Sequence, residues 1–187
     1  MIKELLLLAT GCLLGVLTAA AEGYQVNTLS ARQLGMGHTG VALKLGAESM
    51  IFNPAGLGFS SKALDLTGTF TAVASQVSAD VSGATYRTHN SISTPMAFNA
   101  AFRVYDNLQV GVSFYTPYGS SINWTRDWPG SVLSQKVNLK IYDLQPTVAW
   151  RITPKLSIGD GLMLSWVSVD LSKGLVSSST MDRALAM

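Results

Sequence analysis

Cysteine is almost absent from this sequence: Cys12 is the only one among 187 residues. It lies inside an apolar leader, so the chain behind the leader offers no thiol for a disulfide, a thiolate metal site or a nucleophile. Histidine is nearly as scarce, with only His38 and His89, and two separated imidazoles do not make a zinc site. Asp65, Asp106 and His89 have no nucleophile-elbow context, so no catalytic residue, metal or cofactor is expected and the chain does not read as an enzyme. Charge is thin: 13% of residues are Asp, Glu, Lys or Arg, against about 25% in an average globular protein. The net charge of +2 is too small to imply nucleic acid. Beyond the N-terminus no apolar run approaches the ~18 residues a membrane helix needs, although mean hydropathy is +0.28. Few charges, no spanning helix and many Ser, Thr and Gly suit transmembrane strands, where every second residue meets lipid.

Residues 1–21 read as a signal peptide. Lys3 supplies the positive end, Leu5 to Leu17 the apolar core, and Ala19-Ala20-Ala21 the small residues for cleavage before Glu22. A lipoprotein cut before Cys12, with Thr10-Gly11 ahead of it, is the second reading and would leave a shorter apolar core.

Residues 22–62 read as a compact plug. Ser30-Ala31-Arg32-Gln33 has the spacing of a capping box, opening a short helix that falters at Gly35 and Gly37. A second short turn spans Ala47 to Phe52 and is stopped by Pro54, because an Asn-Pro step holds Asn53 extended and removes a donor. Gly56 and Gly58 then permit backbone angles closed to other residues. Elements this short are not stable alone in water and must be held inside something. Gly35-Met36-Gly37-His38-Thr39-Gly40 matches G-x-G-x-x-G, but that motif binds dinucleotides only between a buried strand and a long helix. No strand precedes it, Glu48 comes too early for the ribose acid, and Pro54 forbids the crossover helix.

From Ala63 the rhythm changes to two. Leu64, Leu66, Phe70, Ala72 and Ala74 share one parity; Asp65, Thr67, Thr69, Thr71 and Ser75 share the other. A polar link, about 76–93, leads to a second strand with Met96, Phe98, Ala100, Phe102 and Val104 on its apolar side. A tight turn at Tyr105-Asp106-Asn107 precedes a third, with Leu108, Val110, Val112 and Phe114. Long links alternating with short turns are the asymmetry of outer-membrane barrels. The third strand runs into Thr116-Pro117-Tyr118-Gly119, where proline deletes a ladder hydrogen bond and glycine favours a bend. The loop that follows carries Trp124 and Trp128, read as interfacial anchors before ligand-stacking groups. In the fourth strand, about 136–152, apolar parity switches between Ile141 and Tyr142. Either a bulge lies near Tyr142 or the upper lumen is apolar. Pro146 within it costs a hydrogen bond. After Thr153-Pro154-Lys155 a fifth strand carries Ile158, Leu162, Leu164 and Trp166, with Asp160 on the same side. The expected fold is all-β: an antiparallel transmembrane β-barrel over residues 63–187, with the N-terminal plug (hatch) inside it. It is incomplete at about five strands, since single-chain barrels begin at about eight.

Gly23-Tyr24-Gln25-Val26-Asn27, the run from Leu34-Gly35 to Gly40 and Ala42, and Asn53-Pro54-Ala55-Gly56-Leu57 together resemble the FadL-type outer-membrane transporters of long-chain fatty acids and other hydrophobic molecules. One departure is a single acid, Glu48, where many relatives carry an acidic pair. The resemblance implies passive, ligand-gated uptake through a plugged barrel in the outer membrane of a Gram-negative bacterium, with a fatty acid or similar solute and outer-membrane lipid as partners. It implies a plug motif of Asn53, Pro54, Ala55 and Gly56 and ligand-lining roles for Tyr24 and Tyr118. It also implies a wall kink at Pro117 and Gly119; the alternative is that Pro117 merely ends the strand. The chain is expected to be the N-terminal fragment of a protein that is monomeric when complete. A non-transporting barrel, an adhesin or structural protein, is the alternative function.

Overall fold

The computed structural model describes residues 25–174, so the signal-peptide reading and Tyr24 lie outside the described residues. The strands are β1 (Leu64–Phe70), β2 (Ser78–Val81), β3 (Ala84–Arg87), β4 (Met96–Tyr105), β5 (Leu108–Tyr115), β6 (Gly119–Asn123), β7 (Lys136–Thr153), β8 (Leu156–Gly161) and β9 (Leu164–Ser172). β2 and β3 form a separate hairpin inside the first long link, turning at Ser82-Gly83, both with positive φ, as a two-residue hairpin turn requires. The others form one open antiparallel sheet. β5 and β6 both pair with β7 on one side, and β8 and β9 both pair with it on the other. The sheet is therefore a meander of β1, β4, β5–β6, β7 and β8–β9, the order in which the chain supplies them.

Each interruption has a local cause. Tyr115 opposes Asp143 and Gly119 opposes Lys140, so three residues, Thr116 to Tyr118, face two, Ile141 and Tyr142. That is a β-bulge at the proline, and it reverses which parity of the third strand faces inward. The second break lies at Leu162-Met163. The Leu162 N–H donates to the Pro146 carbonyl at 3.1 Å, and the return bond is impossible because Pro146 has no N–H. The proline is thus the reason β8 and β9 are two segments.

The two faces differ as the alternation predicts. Leu66, Phe70, Phe98, Trp150 and Ile158 stand outward and exposed, whereas Asp65, Asn99, Gln109, Ser113, Gln145 and Thr147 are buried on the inner face. Phe114 stacks on Tyr142, and Tyr142 is level with Trp166. Trp150 lies eight residues below Tyr142 along β7, about 26 Å at strand rise. Aromatics at both ends of an outward apolar band are the girdles of a membrane barrel. The register of β7 with β9 runs unbroken from Lys136 to Leu144, so β7 itself carries no bulge near Tyr142. Val137, Leu139 and Ile141 stay on the inner face, opposite Leu171, Val169 and Val167 of β9. The parity switch therefore reflects an apolar upper lumen, and the bulge belongs to the neighbouring strand.

On the inner face lies the plug: α1 (Ala31–Gly35), 3₁₀ turns at Gly40–Ala42 and Gly46–Glu48, α2 (Ser49–Phe52) and α3 (Pro54–Leu57). Ala47, Met50 and Leu57 pack against wall residues Ala101 and Ala149. Leu29 packs with Ala97 and Tyr115, flanked by Ile51 and Phe52. Small wall residues leave the room that the plug fills.

Candidate functional site

The plug is held by the wall at several points, and each uses a residue type dictated by space or charge. Gly46 has φ +69°, and a Cβ there would run into the Asp65 carboxylate. That close approach lets Asp65 Oδ2 accept the Ala47 N–H at 3.1 Å while Oδ1 accepts from Lys62 Nζ at 2.9 Å. A strand β1 carboxylate thus caps the turn that opens the second half of the plug. Glu48 ties the plug to itself: its Oε2 accepts from the Ser30 hydroxyl, and Arg32 Nε lies 3.9 Å from Oε1. The capping box forms by half. Ser30 Oγ accepts the Gln33 N–H at 3.2 Å, but the Gln33 side chain turns away and takes the Gly40 N–H at 3.0 Å, pinning the glycine run.

Asn53 holds an extended backbone, φ −156° and ψ 89°, as a residue before proline must. Its Nδ2 donates to the Val41 carbonyl at 3.1 Å, and Pro54 starts α3 at the position where a missing N–H costs nothing. The Pro54–Ala55 backbone presses on strand β8, where a Cβ on Gly159 would fall 2.5 Å from the Pro54 carbonyl carbon. Gly56 faces Ser49, whose hydroxyl would lie 3.1 Å from a Cβ there. Met50 occupies the hollow over Gly111 on β5. Its carbonyl accepts from Gln145 Nε2 at 2.8 Å, while Gln145 Oε1 accepts from the Tyr115 hydroxyl at 2.7 Å. Nothing in the sequence singles out Gln145 except its inward parity in β7.

Tyr115 is also the last residue before the bulge, and there the edge of the third strand changes partner. Thr116 N–H donates to Met96 O of β4 at 3.1 Å; one residue later, Pro117 O accepts from Val26 N–H of the plug at 2.7 Å. Tyr118 forms an antiparallel bridge with Gln25. Higher up, the edge is taken by the outer loop, through the Thr88–Trp124 bridge and the His89 N–H on Asn123 O at 2.8 Å. Between those two, among the described residues, the backbone partner of this edge is the Gln25–Val26 segment. Pro117 and Gly119 are thus met by the start of the plug, whereas the Asn53–Gly56 turn is seated lower, on Gly159.

Trp124 and Trp128 stack on each other at 4.3 Å, and Trp128 meets Tyr86 of β3 edge-on at 5.4 Å. They clasp the β2–β3 hairpin to the second outer loop. In that loop the Thr125 hydroxyl and the Asp127 backbone N–H hold the Asp127 carboxyl below its ordinary value.

A family described as outer membrane protein transport protein (OMPP1/FadL/TodX) matches residues 12–186. No curated protein matches the sequence significantly. Among solved structures, the crystal structure of a Pseudomonas aeruginosa FadL homologue is similar with a TM-score of 0.63 at 15% identity, over 81% of this chain and 39% of that one. The chain therefore spans well under half the length of that homologue, and at this identity the likeness speaks for the fold.

Proposed function

The chain belongs to the OMPP1/FadL/TodX family of outer membrane transport proteins, and from that premise we propose that the whole protein takes up hydrophobic molecules, long-chain fatty acids among the candidates, by passive diffusion. Members of this family are transport proteins, not enzymes. The solute meets the outer loops, lies against the apolar upper lumen, and passes when the plug moves. The wall opening is the third-strand edge from Thr116 to Gly119, closed at rest by Gln25 and Val26. The observation that carries this reading is the hand-over of one strand edge from Met96 to Val26 within two residues. In an unbroken barrel that edge would pair with β4 throughout, because unpaired backbone in lipid costs several kcal/mol per group.

Tyr118, bridged to Gln25, lines the opening in this reading. Asn53, through Val41, holds the Asn-Pro-Ala turn in register with the glycine run. Cells producing the complete protein should take up labelled oleate or a labelled neutral long-chain compound, and Asn53→Ala should abolish that uptake. Unchanged uptake in a correctly inserted Asn53→Ala protein would remove the plug motif from the mechanism.

A further inference from the structure

The inner wall changes character at Asp143. Above it, Ile141, Leu139 and Val137 of β7 face the lumen beside Val167, Val169 and Leu171 of β9. Below it come Gln145 and Thr147, under the plug. Asp143 itself is only 3% exposed, yet its Oδ1 has no hydrogen-bond partner among the described residues. Both flanking strands are in place beside it, with Tyr115 opposite on β5 and Ser165 opposite on β9. The Tyr115 hydroxyl does not serve it, being donated to Gln145. Ser113, one inward position below Tyr115 on β5, is fully buried and its Oγ is unpartnered too.

A buried carboxyl oxygen without a donor is expensive, and the cost is relieved by whatever brings a donor to it. A second carboxylate brought to the same desolvated place is repelled instead. We propose that Asp143 selects the solute by its polar end: the site takes long-chain neutral molecules bearing a hydroxyl, in preference to fatty-acid anions. The tail lies along Ile141–Val137 and Val167–Leu171, and the hydroxyl donates to Asp143 Oδ1, with the unpartnered Ser113 hydroxyl one inward position further down β5. This assignment rests on the uptake reading above and names the solute class for it.

The test compares uptake of labelled 1-dodecanol, dodecanoate and dodecane at neutral pH by cells producing the complete protein, wild type, Asp143→Asn or Asp143→Ser. Heat-modifiable gel migration verifies insertion of each variant. Wild type should favour dodecanol over dodecanoate by about tenfold or more, the scale of leaving one buried polar group without its partner. Both variants should bring that ratio toward unity, mainly by admitting dodecanoate, and leave dodecane unchanged. A wild-type preference for dodecanoate, or a ratio unaltered in both variants, overturns the role of Asp143 while leaving uptake intact. Failure of all three solutes to enter overturns the uptake reading and this assignment with it.

Discussion

Gln145 stands between wall and plug: it donates to the Met50 carbonyl at 2.8 Å and accepts from the Tyr115 hydroxyl at 2.7 Å. Both bonds are buried, and Tyr115 is the residue at which the third strand begins its bulge. One amide thus holds the plug on one side and the base of the β5–β6 bulge on the other. Replacing it with leucine leaves a carbonyl and a phenol unpaired, at about 1–3 kcal/mol for each. Gln145→Leu should lower amide-exchange protection of the Gly46–Leu57 segment by tenfold or more relative to the strands, measured by hydrogen exchange. Equal protection in both proteins would mean the bond does not hold the plug.

The wall glycines make a sharper steric case. A Cβ at Gly159 would lie 2.5 Å from both the Pro54 carbonyl carbon and the Ala55 nitrogen, whereas one at Gly35 would meet nothing within 4 Å. Gly159→Ala is therefore expected to cost about 1–3 kcal/mol by overpacking and to expose the plug to protease. Gly35→Ala should be neutral or slightly stabilising, since alanine is the better helix residue. Limited proteolysis of the two variants side by side reads the difference.

Pro146 makes the opposite kind of prediction. Its carbonyl takes the Leu162 N–H, and only the missing donor prevents the return bond. Pro146→Val should join β8 to β9, slow exchange of neighbouring amides in β7–β9, and raise resistance to unfolding by about 1 kcal/mol, one net hydrogen bond. No change in exchange would place the cause of the break elsewhere.

In the outer loops, Trp128 stacks on Trp124 and meets Tyr86 edge-on. Trp128→Ala removes both ring contacts, worth about 0.5–1.5 kcal/mol each beyond area. It should free the β2–β3 hairpin to proteolysis at Ser82-Gly83 while the strands below remain intact.

How much of this was legible beforehand follows from distance along the chain. The outward leucines and phenylalanines, the turns after Tyr105 and Thr153, and the short plug helices around Pro54 all follow from neighbours within a few residues. Ser30 as a cap was equally local. The Gln145–Met50 bond joins residues 95 apart, and no periodicity announces it. The clasp of Trp124 and Trp128 with Tyr86 needed the β2–β3 hairpin, which hid in a link that reads as merely polar. Two ambiguities were resolved by register alone. The parity switch at Ile141–Tyr142 could be a bulge or an apolar lumen until β9 was seen to pair without a slip. Pro146 became intelligible only once Leu162 stood opposite it. Glycine at 159 was likewise silent, because its reason is the backbone of Pro54, far away along the chain yet packed directly on it.

The most direct test of the account locks the start of the plug to the wall. Gln25 and Tyr118 are antiparallel bridge partners, and such partners have Cα atoms about 4.5–5.5 Å apart, within reach of a disulfide. Cys12 is the chain's only cysteine, so Gln25→Cys with Tyr118→Cys adds a single new pair to it. With the complete protein in cells, uptake of a labelled hydrophobic solute should fall to background once the pair is oxidised and return after reduction. Full uptake through protein shown to be cross-linked would contradict an opening closed by Gln25 and Val26.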